Sequence, residues 1–198
     1  MLQPVLRPSA DYRELIRPDR VHGRLYTDAQ IFEDELEKIW YREWIFIGHE
    51  SEVPEVGDYR TGYIGKQPII ITRGRDHKIH VVLNRCTHRG NTLCQTRRGN
   101  AKTFTCSYHG WTYTCEGDLQ GILFREDYPP DFRREEHGLF KVPRVESRRG
   151  FLFASMSKTG KSLDEHLGPG VLANIDRFCD LSPTGEITMN HGVYRMRI

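Results

Sequence analysis

The chain has 198 residues, a formal net charge of +2 and a hydrophobic fraction of 37%, enough for one compact domain and part of another. So balanced a charge excludes the broad basic surface of a nucleic-acid binder. No apolar run approaches the roughly 18 residues that span a bilayer. Residues 1–10, with Pro4 and Pro8, lack the apolar core of a secretory leader, so no membrane association and a cytoplasmic location are expected. The five cysteines suit that reducing compartment, where clustered thiols hold metals more often than disulfides.

In chain order, residues 1–26 carry Pro4, Pro8 and Pro18 without sustained periodicity and read as an extended arm. Thr27-Asp28-Ala29-Gln30 has the form of a capping box, in which the Thr27 hydroxyl and the Gln30 side chain satisfy free amides. Ile31, Phe32, Leu36, Ile39 and Trp40 then recur at helical spacing and predict an amphipathic helix of about three to four turns. From Trp44 to Met156 the pattern changes to short strands at 44–47, 69–72, 79–83, around Phe104, at 111–113 and at 151–153. Gly74-Arg75-Asp76-His77 predicts the hairpin turn between the second and third of these, and Glu116-Gly117-Asp118 another turn. Short β segments separated by glycine-bearing turns indicate a small antiparallel sandwich or barrel.

A polar connection at 157–161 leads to a second capping box, Ser162-Leu163-Asp164-Glu165. The helix it opens is interrupted by Gly168-Pro169-Gly170 and resumes over 171–178. Tyr194, Met196 and Ile198 alternate with Arg195 and Arg197, a strand pattern on which the sequence stops. An N-terminal portion of something larger is therefore expected. The fold class is α+β, mostly β: an N-terminal arm and helix (1–40), a small antiparallel β-sandwich domain (41–156) and the truncated start of an α+β domain (157–198).

Two segments carry the chemistry: Asn84-Arg85-Cys86-Thr87-His88-Arg89-Gly90-Asn91 and Thr105-Cys106-Ser107-Tyr108-His109-Gly110-Trp111. They give C-x-H, seventeen intervening residues, then C-x-x-H. Each half sets a thiolate and an imidazole close together, as a loop tip that grips metal. In a Rieske [2Fe–2S] centre two cysteines hold one iron and two histidines the other, and each loop offers one ligand of each kind. Cys86, His88, Cys106 and His109 are thus the candidate ligands. Gly90 and Gly110, just beyond the histidines, let the backbone turn sharply and bring amides near the sulfides. The alternative is a tetrahedral structural zinc, although zinc fingers usually pair like ligands, whereas here both halves are mixed.

These segments, with Gly99-Asn100-Ala101-Lys102 and Asp118-Leu119-Gln120-Gly121, resemble the α (large) subunit of Rieske non-haem iron ring-hydroxylating oxygenases. The similarity extends to Glu43-Trp44-Ile45-Phe46-Ile47-Gly48-His49, Gly138-Leu139 and Arg149-Gly150-Phe151-Leu152-Phe153. It implies that 41–156 is a Rieske domain and that 157–198 begins a catalytic domain. It also implies a mononuclear Fe(II), held by two histidines at H-x₄-H spacing and a carboxylate, that activates dioxygen to hydroxylate an aromatic ring. No two histidines of this sequence have that spacing, so that iron is expected only in a full-length parent and the chain alone is expected to be inactive. An NAD(P)H-fed reductase, with or without a ferredoxin, a small β subunit and assembly as a homotrimer or α₃β₃ are implied by the resemblance only. So is an outer imidazole nitrogen of His88 or His109 at the protein edge, where the electron leaves.

High-potential respiratory Rieske proteins resemble C-T-H-L-G-C and C-P-C-H-G-S, with a disulfide between the extra cysteines. Here Asn91 and Tyr108 stand at those places and Trp111 at that of the serine, so a disulfide and a hydrogen bond to the cluster are both missing. A midpoint below roughly 0 mV, within a Rieske range of about −150 to +300 mV, is expected. Cys94, Cys115 and Cys179 read as structural, and His77 with His80 falls on a turn and a strand rather than on a second metal site. Arg85, Arg89, Arg97 and Arg98 form either a solvated face or a docking surface for an acidic electron donor. Trp111 reads as cover over the cluster, as an ordinary strand core residue, or as both. The alternatives to the oxygenase reading are a stand-alone Rieske ferredoxin and a zinc-stabilised binding module.

Overall fold

The computed structural model describes residues 11–189; the strand pattern at 194–198 and the first ten residues of the arm lie outside them. The arm carries a short hairpin of β1 (Ile16–Arg17) and β2 (Arg20–Val21) and one helical turn, α1 (Arg24–Thr27). The helix α2 (Ala29–Glu35) continues as a π-helical turn over Leu36–Trp40. Its cap corrects the sequence reading. The Asp28 carboxylate, not the Thr27 hydroxyl, accepts from the Gln30 and Ile31 amides. The Thr27 hydroxyl is spent on the Gly23 carbonyl of the preceding turn, a local back-bond that competes with capping. Ile31 and Leu36 are buried, whereas Phe32 and Ile39 are exposed, so the apolar stripe is narrower than the periodicity suggested.

The remaining strands are β3 (Ile45–His49), β4 (Asp58–Ile64), β5 (Gln67–Arg73), β6 (Ile79–Leu83), β7 (Arg98–Asn100), β8 (Thr103–Thr105), β9 (Thr112–Thr114), β10 (Leu119–Gly121), β11 (Arg144–Arg148) and β12 (Phe151–Ser155). They pair antiparallel in the orders β6-β5-β4-β7, β10-β9-β8 and β11-β12-β3. β5 organises them. Its Ile69, Ile70 and Ile71 are exposed by no more than 1%, which marks a strand buried on both faces. Because strand side chains alternate, Ile69 and Ile71 enter one core with Ile47, Val81, Leu152 and Ala154 of β3, β6 and β12. Ile70 enters the other with Val82, Phe104, Tyr113 and Leu119, and Cys86 and Cys106 belong to that core. The cysteine loops are therefore anchored on the central sheet.

The predicted β5–β6 hairpin is present, with Ile69 opposite Leu83 and Arg73 opposite Ile79. The turn is closed by the Gly74 amide on the Lys78 carbonyl and has His77 in the left-handed region at φ 62°. β1, β2, β4, β7, β10 and β11 were not foreseen, and a hairpin and a helical turn stand where an extended arm was expected. β4 is largely half-buried and carries Arg60 and Gly62, β7 and β10 have three residues each, and β11 is polar at an edge of its sheet. After β12, α3 (Leu163–Cys179) opens on the expected capping box of Ser162 and Glu165 and kinks at Gly168, φ 68°. Its Leu163 packs with Trp44 and Phe153.

Candidate metal centre

The two cysteine loops close in the same way. In the first, the Cys86 amide donates to the Asn91 carbonyl and the Gly90 amide to the Cys86 carbonyl, both at 2.8 Å. In the second, the Cys106 amide donates to the Trp111 carbonyl at 2.8 Å and the Gly110 amide to the Cys106 carbonyl at 3.0 Å. Both glycines take positive φ, 76° at Gly90 and 71° at Gly110, which L side chains adopt only at a cost. Each therefore stands four residues after its cysteine for a backbone reason. The histidine is what differs: His88 is two residues after Cys86, His109 three after Cys106.

The loops bring all four candidate residues together as a thiol pair and an imidazole pair. Cys86 and Cys106 are both buried, at 2% and 3% exposure, and the Cys86 thiol stands against Cys106. The His88 and His109 rings lie edge-to-face with centroids 4.7 Å apart. Among the described residues no cluster of three or more such side chains converges as around one ion. All five cysteines are free.

Burial raises the Cys106 thiol, but the Tyr108 and His109 amides, the Asn91 side chain and Cys86 outweigh it and hold it below its ordinary value. Burial first, then the charges of His109 and Arg89, lower His88. Its Nδ1 is buried with no hydrogen-bond partner, an arrangement that costs free energy unless something fills the valence. A metal on that nitrogen would do so, and the thiol-plus-imidazole donor set is that of a Rieske centre. The residues present fit the group.

The surroundings add residues the motif did not reveal. The Tyr113 hydroxyl lies 3.2 Å from Cys86 Sγ, accepts from the Thr87 amide at 3.2 Å, and is 3.0 Å from Thr87 Oγ1. Since Thr87 Oγ1 donates to the His137 carbonyl at 2.7 Å, the Tyr113 O–H can donate to Thr87 Oγ1 or to Cys86 Sγ. Burial and the neighbouring Cys86 push the Tyr113 hydroxyl up, which keeps it a donor, and a thiolate is the stronger acceptor. Asn91 Nδ2 donates more weakly to Cys106 Sγ at 3.7 Å. The one signal in the sequence was an inward aromatic of strand β9 whose hydroxyl needs a partner when buried.

Trp111 is both core residue and cover. It is 3% exposed and stacks on His88 at 4.9 Å with the rings 6° from parallel. Tyr108, 61% exposed, stacks on His109 at 3.7 Å. Beside them opens a cleft of about 640 Å³, lined in part by Arg89, Leu123, Phe124 and Tyr128. The residues read as bystanders stay outside the centre. Cys94, whose thiol burial and then Cys115 push up to about 12, lends its backbone to Asn84. Cys115 gives its thiol to the Ala101 carbonyl at 3.0 Å, Cys179 is buried, and His80 pairs with Asp76.

The sequence matches the model of the Rieske [2Fe–2S] domain over residues 43–129. It is 42% identical over 161 residues to the biphenyl 2,3-dioxygenase subunit alpha of Rhodococcus jostii (strain RHA1), covering 80% of this chain and 35% of that protein. Against the toluate 1,2-dioxygenase subunit alpha of Pseudomonas putida it is 41% identical, with 88% and 39% covered. Among solved structures, naphthalene 1,2-dioxygenase with indole bound matches with a TM-score of 0.71 at 39% identity, over 74% of this chain and 33% of that one. A quaternary ammonium Rieske monooxygenase bound to L-carnitine matches with a TM-score of 0.71 at 31% identity, over 80% and 44%. The chain thus spans a little over one third of the length of the curated relatives it matches. No helix among the described residues is long and apolar enough to cross a membrane. With its thiol and imidazole pairs inside the matched region, the chain carries a Rieske [2Fe–2S] domain and is similar over most of its length to the N-terminal part of large (α) subunits of aromatic ring-hydroxylating dioxygenases.

Proposed function

We propose that Cys86, His88, Cys106 and His109 hold a Rieske [2Fe–2S] cluster and that the chain is the electron-transfer part of a ring-hydroxylating oxygenase. The observation that carries this reading is the buried, unpartnered His88 Nδ1, in a loop closed like that of Cys106 and beside the ring of His109. When bound, such a cluster takes up and releases one electron at a time. The protein's own part is to hold two thiols and two imidazoles in fixed geometry. Tyr113 and the Tyr108 and His109 amides lower the energy of charge on the two sulfurs. Trp111 keeps water from the inner side of His88.

In the parent protein a reductase fed by NAD(P)H, directly or through a ferredoxin, supplies the electrons. A mononuclear iron of that protein would supply the activation of dioxygen by which an aromatic compound is hydroxylated, a catabolic role. Assembly as a trimer, with or without a β subunit, and the division at 1–40, 41–156 and 157–198 belong to the same proposal, as does the cytoplasmic location. Arg85, Arg89 and Arg97 have no ion-pair partner among the described residues, which supports a positive face for an acidic donor.

The test is reconstitution of the chain with iron and sulfide. A reddish-brown protein with an electron paramagnetic resonance signal after dithionite reduction is expected. A colourless, silent protein that takes up one zinc would overturn the reading. Redox titration is expected to give a midpoint below roughly 0 mV.

A further inference from the structure

Between β10 and β11, residues 122–138 have no regular structure except two short 3₁₀ turns, Arg125–Asp127 and Arg134–His137. Yet this segment supplies the hydrogen-bond acceptor of the Trp111 indole and two edge-on ring partners. The Trp111 Nε1 donates to the Tyr128 hydroxyl at 3.0 Å. Phe132 meets the indole edge-on at 5.9 Å, and His137 does so at 5.7 Å while stacking on Phe132 at 4.4 Å. Such a segment loses much conformational entropy on ordering, so something must hold its shape. Two ties reach outward: Arg134 Nη1 donates to the Gln120 carbonyl and Thr87 Oγ1 to the His137 carbonyl. Within the segment that role falls to Arg125. Its Nη1 donates to the Tyr128 and Pro129 carbonyls at 3.2 Å, and its Nη2 to those of Pro130 and Phe132 at 3.5 and 3.4 Å. The guanidinium carbon also lies 5.5 Å from the Phe132 ring centroid. A planar fork of donors can gather four carbonyls where an ammonium cannot.

We infer that Arg125 is a positioning residue for the centre: it folds the 128–132 segment so that Tyr128 and Phe132 brace Trp111, and Trp111 lies flat on His88. The consequence for a cluster rests on the reading of His88 as a ligand; the bracing of Trp111 does not.

The test uses the whole chain with Arg125→Ala, Arg125→Gln and Arg125→Lys. In cluster-free protein, nuclear magnetic resonance follows hydrogen exchange of the Trp111 indole N–H. The Trp44 indole N–H, bonded to the Lys161 carbonyl, serves as an internal reference remote from the segment. Arg125→Ala is expected to speed Trp111 exchange about tenfold, the effect of losing one to two net hydrogen bonds, and to leave Trp44 unchanged. Gln and Lys fall between, and they decide the matter on the same readout if the alanine variant does not fold. In reconstituted protein the same variants shift the paramagnetic g-values and release iron faster to a chelator. Unchanged Trp111 exchange, or equal acceleration at Trp44, would overturn the inference, the second because it marks a loss of global stability alone. If the unaltered chain binds no cluster, the assignment of ligands fails while the exchange experiment still judges Arg125.

Discussion

Loops 86–91 and 106–111 share one backbone device, a cysteine closed onto its fifth neighbour with a left-handed glycine between, but they face different surroundings. Behind the first stand Trp111 and Tyr113, at 3% and 0% exposure, and its sulfur receives a side-chain hydroxyl. The second turns outward, with Tyr108 exposed, and its sulfur is served mainly by the Tyr108 and His109 amides. One sulfur is faced by a buried side-chain hydroxyl, the other mainly by amides of its own loop with a weaker contact from Asn91. Substitution should therefore act unequally on two loops that look alike.

The comparison breaks first if the loops are not equal partners in holding the cluster. Cys86→Ser and Cys106→Ser are each expected to cut bound iron from about two per chain to background, measured as iron and acid-labile sulfide. Full iron in either variant would remove its loop from the site. The next largest effect concerns the glycines. Gly90→Ala meets only the Arg85 stem at 3.9 Å and pays the left-handed strain alone, about 1 kcal/mol. At Gly110 a Cβ would also press on the Leu123 side chain, which is exposed and can swing aside, so Gly110→Ala is expected to cost somewhat more, about 1–2 kcal/mol. Urea unfolding of the cluster-free variants ranks them, and equal losses would deny the closer packing of the second loop.

Tuning comes third. Tyr113→Phe removes the hydroxyl 3.2 Å from Cys86 Sγ and is expected to lower the midpoint by roughly 40–60 mV, one net hydrogen bond expressed as a one-electron potential. Asn91→Ala, losing a contact of 3.7 Å, lowers it less. A larger shift from Asn91 would reverse the order of the two side-chain contacts. The smallest effect is kinetic. Arg97→Glu is expected to slow reduction by an acidic donor and weaken its salt dependence at unchanged midpoint; stopped-flow rates at two ionic strengths decide it.

Much of the centre was legible because its requirements are local. A cysteine, a histidine two or three residues on and a glycine at the fourth position all act within one turn of chain, so the spacing alone exposes them. The β5–β6 hairpin was legible for the same reason, through Gly74 and the isoleucine run. Thr27 misled because two neighbouring oxygens compete for one cap, and the hydrogen bond of Thr27 to Gly23 decides which is free. The missing serine removes one hydroxyl from the sulfurs, and the motif showed no sign of another. Tyr113 supplies one from a strand 27 residues away from Cys86.

The sequence by itself determined the candidate ligand residues, their placement on two glycine-closed loops, the antiparallel β character and the family resemblance, all properties of residue type and short spacing. Only the tertiary structure decided which imidazole nitrogen is buried without a partner, which aromatic lies on His88, and that an irregular segment at 122–138 braces it. Those outcomes depend on side chains brought together from distant parts of the chain, where closing the loop costs entropy that only the packed whole repays. No periodicity in a single segment records such a contact.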